Sequence, residues 1–120
     1  MANILIVEDD EPVRTLAARA LARDGHVVET ADDGEAGLAR IVDRSGRYDL
    51  VVSDIRMPAM DGIAMAKAAA RTYPDLKIML VTGYAEQRER AAELDGIIVD
   101  VVQKPFTLAQ IRSKVSEYAN

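Results

Sequence analysis

The chain has 120 residues, 49% of them hydrophobic, which suits one packed domain and leaves no room for a second. With no cysteine and a single histidine, His26, it excludes disulfides, thiolate metal sites and a histidine-built zinc site. A formal charge of −5, from 20 acidic and 15 basic side chains, argues against nucleic acid as a partner.

A short β-branched run at 4–7 predicts the first strand, and three acids, Glu8, Asp9 and Asp10, follow it directly. An amphipathic segment at 11–23 predicts a helix, with Pro12 at its start, Val13, Leu16, Ala17, Ala20 and Leu21 on one face, and Gly25 beyond its end. A second strand is expected at 27–30 and a second helix at 33–42. The run at 50–53 predicts a third strand ending at Asp54, followed by a helix at 61–72 that Pro74 closes. A fourth strand at 78–81 leads to Thr82, and a helix is expected at 85–94. The last strand, 99–103, leads to Lys104 and a helix at 107–118.

Several of these runs lack polar alternation, as strands buried on both faces do. Strand–helix alternation implies parallel strands, right-handed crossovers and helices on both faces. Five such units predict an α/β fold: a five-stranded, doubly wound, flavodoxin-like (βα)5 sheet of order 2-1-3-4-5. Residues 1–120 are expected to form this one domain, with no output domain. No apolar run is long enough to span a bilayer and no basic leader opens the chain, so a cytoplasmic protein without membrane association is expected.

In such a sheet, ligands bind beyond the carboxyl ends of the strands, near the point where strand order reverses. Glu8, Asp9, Asp10, Asp54, Thr82 and Lys104 all fall there. Clustered carboxylates raise one another's pKa unless a cation offsets them, and an all-oxygen donor set points to a hard ion such as magnesium. Asp9 and Asp54 suit direct ligation, while Glu8, with its longer arm, suits contact through water. A carboxylate can also attack a phosphoryl donor to give an aspartyl phosphate, a reaction that needs positioning and charge neutralisation above all. Lys104 supplies a compact positive charge, and the Thr82 hydroxyl can donate to a phosphoryl oxygen.

The segments Ile4-Leu5-Ile6-Val7-Glu8-Asp9-Asp10, Ser53-Asp54-Ile55-Arg56-Met57-Pro58, Met60-Asp61-Gly62, Val81-Thr82-Gly83 and Lys104-Pro105-Phe106 resemble, in order and spacing, the CheY-like response-regulator receiver family of two-component signalling. The resemblance covers essentially the whole chain. It implies that Asp54 takes phosphate from a phosphohistidine. It implies magnesium held by Asp9, Asp54 and the backbone carbonyl of Arg56, to which the reading above adds Glu8, phosphoryl contacts from Thr82 and Lys104, and a cis peptide before Pro105. The implied partners are a sensor histidine kinase or a histidine phosphotransfer protein. A further protein target would dock on the face of the fourth helix, fifth strand and fifth helix, with the chain a monomer or weak dimer. Such a protein is no turnover enzyme, although it takes part in its own phosphoryl transfer and slow autodephosphorylation. The alternative is a degenerate receiver that binds its target whether or not it is phosphorylated.

Each of these residues also has a bland reading. Asp9 could cap the first helix, and Asp61-Gly62 reads as a cap and tight turn opening the third. His26 reads as a loop or strand-edge residue, and the cations Arg88, Arg90, Arg112 and Lys114 as a solvated helix surface. An aspartate-nucleophile phosphatase would need a second Asp two residues after Asp54, where Arg56 stands. A nucleotide-binding loop would want glycines where Glu8-Asp9-Asp10 stand. Two features depart from the family. Val101 occupies the fifth-strand position where an aromatic residue often switches, and Gly96-Ile97-Ile98-Val99-Asp100 is unusually apolar, which suggests a remodelled partner surface there. Arg56 and Tyr84, each two residues beyond a site residue, are expected to shield the phosphoryl group from water.

Overall fold

The apolar runs become strands because alternate side chains in them point to opposite faces of a sheet that is covered on both sides. In this computed structural model, which describes residues 1–94 and 96–119, the strands are β1 (Asn3–Val7), β2 (Val27–Ala31), β3 (Leu50–Asp54), β4 (Ile78–Thr82) and β5 (Asp100–Gln103). Between and after them run α1 (Glu11–Arg23), α2 (Gly34–Asp43), α3 (Gly62–Thr72), α4 (Ala85–Ala92) and α5 (Leu108–Tyr118). All ladders are parallel and the order is β2-β1-β3-β4-β5, as expected.

Leu5, Val7, Val51, Ile78 and Leu80 face one core, which Ile41 of α2, Met65 and Ala69 of α3, and Ala91 of α4 complete. Ile4, Ile6, Val52, Met79 and Val81 face the other, closed by Ala17 and Leu21 of α1 and Ile111 and Val115 of α5. Burying a large aliphatic side chain in either layer contributes about 1.5–3 kcal/mol. The helices start where short polar side chains satisfy their free amides. Asp33, Asp61 and Thr107 stand one residue before the helix, as caps, each accepting from the amide three residues on. Thr107 and Gln110 form a reciprocal capping box.

Most boundaries fall within one residue of expectation, and the two differences with structural consequences lie around α4. The helix stops at Ala92 rather than at 94, because the amides of Glu93 and Leu94 turn back to the carbonyls of Arg90 and Ala91. This tightened turn carries Leu94, beside Ala91, into the core. β5 begins at Asp100, although Val99 already donates to the Ile78 carbonyl at 2.8 Å. Ile97 and Ile98 pack half-buried against one core and Val99 against the other. The apolar run is thus partly taken up by the two core layers, as a turn and isolated bridge that lead into β5. The cations read as helix surface are paired: Arg88 with Gln103, Arg90 with Asp61, Arg112 with Asp24 and Lys114 with Asp100. His26 accepts the Ala2 amide on Nδ1 at 3.2 Å, a structural contact.

Candidate functional site

The carboxyl ends of β1, β3 and β4 open into a cleft of about 440 Å3 lined by Glu8, Asp9, Asp54, Arg56, Tyr84 and Lys104, among others. Register places these ends side by side, with Val7 opposite Ser53 and Asp54 opposite Val81. Asp54 is the last residue of β3 and Thr82 the last of β4, each one residue further along the strand than the apolar run alone predicts.

The three acids after β1 divide their work. Asp10 caps α1, its Oδ1 accepting from the Val13 amide at 3.2 Å, so the capping role considered for Asp9 belongs to its neighbour. Glu8 is buried, its amide bonded to the Ala31 carbonyl and its own carbonyl held by Arg14 at 2.8 Å. Asp9 is left to face the cleft. One carboxylate oxygen from each of Glu8, Asp9 and Asp54 lies within 4.8 Å of the others. Partial desolvation, then the hydrogen bond and negative charge of Glu8, hold the Asp9 carboxyl above the ordinary aspartate value.

Lys104 bridges the acids. Its Nζ lies 3.0 Å from Glu8 Oε1 and 3.2 Å from Asp54 Oδ2, across 96 and 50 residues of sequence. Burial alone would lower its pKa, but the bonds and charges of Glu8 and Asp54 outweigh burial and raise it. The backbone aims the side chain: the Lys104 amide donates to the Thr82 carbonyl at 2.7 Å, and the following peptide to Pro105 is cis, as the resemblance implies. Three carboxylates against one ammonium leave an excess of negative charge, and every anionic donor is an oxygen. That set fits a hard divalent cation.

Asp54 Oδ1 accepts from the Ile55 amide at 3.1 Å, leaving the carboxylate fixed and facing the cleft. Directly behind it stands Gly62. A Cβ there would sit 2.2 Å from the Asp54 carbonyl oxygen, so this glycine serves close backbone approach rather than the tight turn expected of it. The Thr82 hydroxyl, fully buried, accepts from the Tyr84 amide at 3.1 Å and donates to the Tyr84 carbonyl at 3.2 Å. It thus points along its own loop, and reaching a group on Asp54 requires its rotation. Arg56 lies over the Tyr84 ring, 5.1 Å from guanidinium carbon to centroid, at the cleft mouth.

Sequence reasoning named the acids, Thr82, Arg56, Tyr84 and Lys104. It missed Arg14, whose only signal is a cation one turn into the helix that follows the acidic run. It also missed the pairing of Asp61 with Arg90 at 3.2 Å.

The doubly wound parallel sheet thus carries its acidic cleft where the strand order reverses, the usual place for a ligand in such a sheet. Residues 4–116 match the response regulator receiver domain model, and the chain belongs to that family. Its members are receiver domains of two-component systems, which accept phosphate on an aspartate and bind magnesium at an acidic pocket. The chain is 36% identical to the sensor kinase CckA of Brucella abortus over 97% of its own length, but spans 12% of that protein. It is 38% identical over 94% of its length to the response regulator MprA of Mycolicibacterium vanbaalenii, and spans 48% of it. The chain thus spans half or less of the length of these curated relatives. A crystal structure of a CheY-like receiver domain protein from Methanospirillum hungatei superposes with a TM-score of 0.90 at 28% identity, covering 99% of this chain and 94% of that one. Among the described residues, no helix is long and apolar enough to cross a membrane.

Proposed function

We propose that the chain works as a stand-alone phosphoacceptor receiver of a cytoplasmic phosphorelay, taking its phosphoryl group on Asp54 and signalling through protein contact. The observation that carries this reading is the Asp54 carboxylate, 3.2 Å from the Lys104 ammonium in a cleft shared with Glu8 and Asp9. The Methanospirillum receiver, 94% of which is matched, supports a working unit of about this size.

In this reading an Asp54 oxygen attacks the phosphorus of a phosphohistidine on a sensor kinase or phosphotransfer protein. The new P–O bond forms as the P–N bond breaks, and the imidazole leaves with the electron pair. Lys104 turns from the free carboxylates toward a phosphoryl oxygen, and Thr82 rotates to donate to another. Glu8, Asp9, Asp54 and the Arg56 carbonyl would hold magnesium, Glu8 through water. Magnesium, when bound, supplies the positive charge that this cleft's carboxylates lack. Decay is attack of water on phosphorus, releasing inorganic phosphate and restoring the carboxylate. Arg56 and Tyr84 both line the cleft that this water must cross, and their bulk favours a slow decay whether or not the two side chains stay stacked.

The test is intact mass after incubation with acetyl phosphate, with and without magnesium, for wild type and Asp54→Asn. The expected result is magnesium-dependent gain of one phosphoryl group, lost in the variant. Following the same mass over time, Arg56→Ala with Tyr84→Ala is expected to shorten the phosphoryl lifetime several-fold. No gain from acetyl phosphate or from a panel of phosphorylated kinases would instead favour a phosphorylation-independent binding module.

A further inference from the structure

Tyr84 is where the cleft meets α4. Its ring carries the Arg56 guanidinium, and its amide and carbonyl are both held by the Thr82 hydroxyl. The same carbonyl accepts from the Arg88 amide at 3.2 Å, and Tyr84 is the residue that opens the helix. Its side chain makes no capping hydrogen bond among the described residues. Near the other end of α4, Arg90 Nη2 reaches Asp61 Oδ2 at 3.2 Å. Arg56 and Asp61 flank one short segment, the loop between Asp54 and α3, so that loop grips α4 at both ends. Among the described residues, α4 is also held by Ala91, buried in the core, and by an exposed contact of Arg88 with Gln103 at 3.1 Å.

We propose that the stack of Arg56 on Tyr84 is a charge-sensitive latch, through which a phosphoryl group on Asp54 loosens the start of α4. The inference rests on the phosphoacceptor reading of Asp54. Tyr84 is 50% exposed, and a cation over an exposed ring is held weakly. A phosphoryl group on Asp54 would turn one negative charge into roughly two and add oxygens that accept charge-assisted hydrogen bonds, which are among the strongest available to a guanidinium. Arg56 lines the same cleft, so those oxygens compete directly with the ring. Thr82 is drawn the same way, and Tyr84 then loses its side-chain and main-chain anchors together. Val101, aliphatic and half-buried against the core, has no ring to switch, so the response is carried by the loop before α4 instead of by β5.

Amide hydrogen exchange at 88–92 tests the latch in the full chain, for wild type, Tyr84→Ala and Tyr84→Phe, with and without acetyl phosphate and magnesium. Intact mass is read on the same samples. Wild-type exchange is expected to rise roughly two- to fivefold on phosphorylation, the factor that loss of one exposed cation–π contact gives. Tyr84→Ala is expected to exchange fast in both states, and Tyr84→Phe, which keeps the ring, to behave as wild type. Unchanged exchange in wild type whose mass shows the phosphoryl group overturns the latch, as does a wild-type response in Tyr84→Ala. If the mass shows no phosphoryl group after acetyl phosphate and after a panel of phosphorylated kinases, the phosphoacceptor reading fails, and the latch with it.

Discussion

All five residues of β4 are buried, whereas β5, hydrogen-bonded along its side, has three half-buried residues and one exposed. The contrast extends to the helices. α3 buries Gly62, Ile63, Met65, Ala66 and Ala69 against the inner strands. Among its described residues, α4 sets only Ala91 firmly in the core and reaches its neighbours through arginines: Arg88 to Gln103 and Arg90 to Asp61. One repeat unit thus yields two kinds of anchoring. At the centre, area removed from water holds the site's backbone in place and is indifferent to charge. At the α4 edge, exposed polar contacts hold an element weakly and respond to charge. A cleft that gains charge is well served by a rigid floor and a loosely held neighbour.

The sharpest way to test this contrast is to remove one anchor of each kind. Leu80→Ala, at a fully buried position of β4, is expected to cost about 2–5 kcal/mol in denaturant unfolding, while Arg90→Ala should cost less than about 1 kcal/mol. Comparable losses would mean that the edge is as firmly built as the centre. Gly62→Ala should come next, at about 1–3 kcal/mol, because the new Cβ meets a backbone carbonyl rather than a flexible side chain. It should also displace Asp54 and reduce phosphoryl uptake more than the loss of stability explains.

A further effect, dependent on pH, lies on the opposite edge of the sheet. Buried Tyr48 donates to Glu29 Oε1 at 3.0 Å, with Arg40 and Arg44 on the same carboxylate. Burial, then the bond to and charge of Glu29, push its hydroxyl from 10.0 up to about 12. Because the folded pKa is the higher one, the contribution is complete below the unfolded value and disappears as pH rises through the folded one. Wild type should therefore lose up to about 2 kcal/mol relative to Tyr48→Phe between roughly pH 10 and 12. Parallel stability curves for the two proteins over that range would show that the hydroxyl is not protected as described.

Much of this architecture was legible along the chain. The β-branched runs, the helix caps and the acids at strand ends are local signals, and the strand order is that of the doubly wound flavodoxin-like fold to which five such units point. Asp54 stood out as the first carboxylate after an apolar run, and it ends β3 in the cleft. Two details near α4 were not legible, because 85–99 mixes a polar helix with an apolar run whose burial depends on what packs over it. The division of labour among Glu8, Asp9 and Asp10 was also hidden. Three adjacent acids look alike until the first turn of α1 commits one of them to its amides.

By itself, then, the sequence determined the alternation of elements, the buried character of the inner strands and the chemistry available at their ends, because each depends on neighbours within a few residues. Only the tertiary structure decided which groups meet: Lys104 between Glu8 and Asp54, Arg56 over Tyr84, Asp61 with Arg90, and Gly62 against the Asp54 carbonyl. The physical reason is reach. Propensity and hydrophobic pattern act over one turn or one strand, whereas a charge or ring contact is set by ångström-scale distances between segments that only the packed sheet brings together.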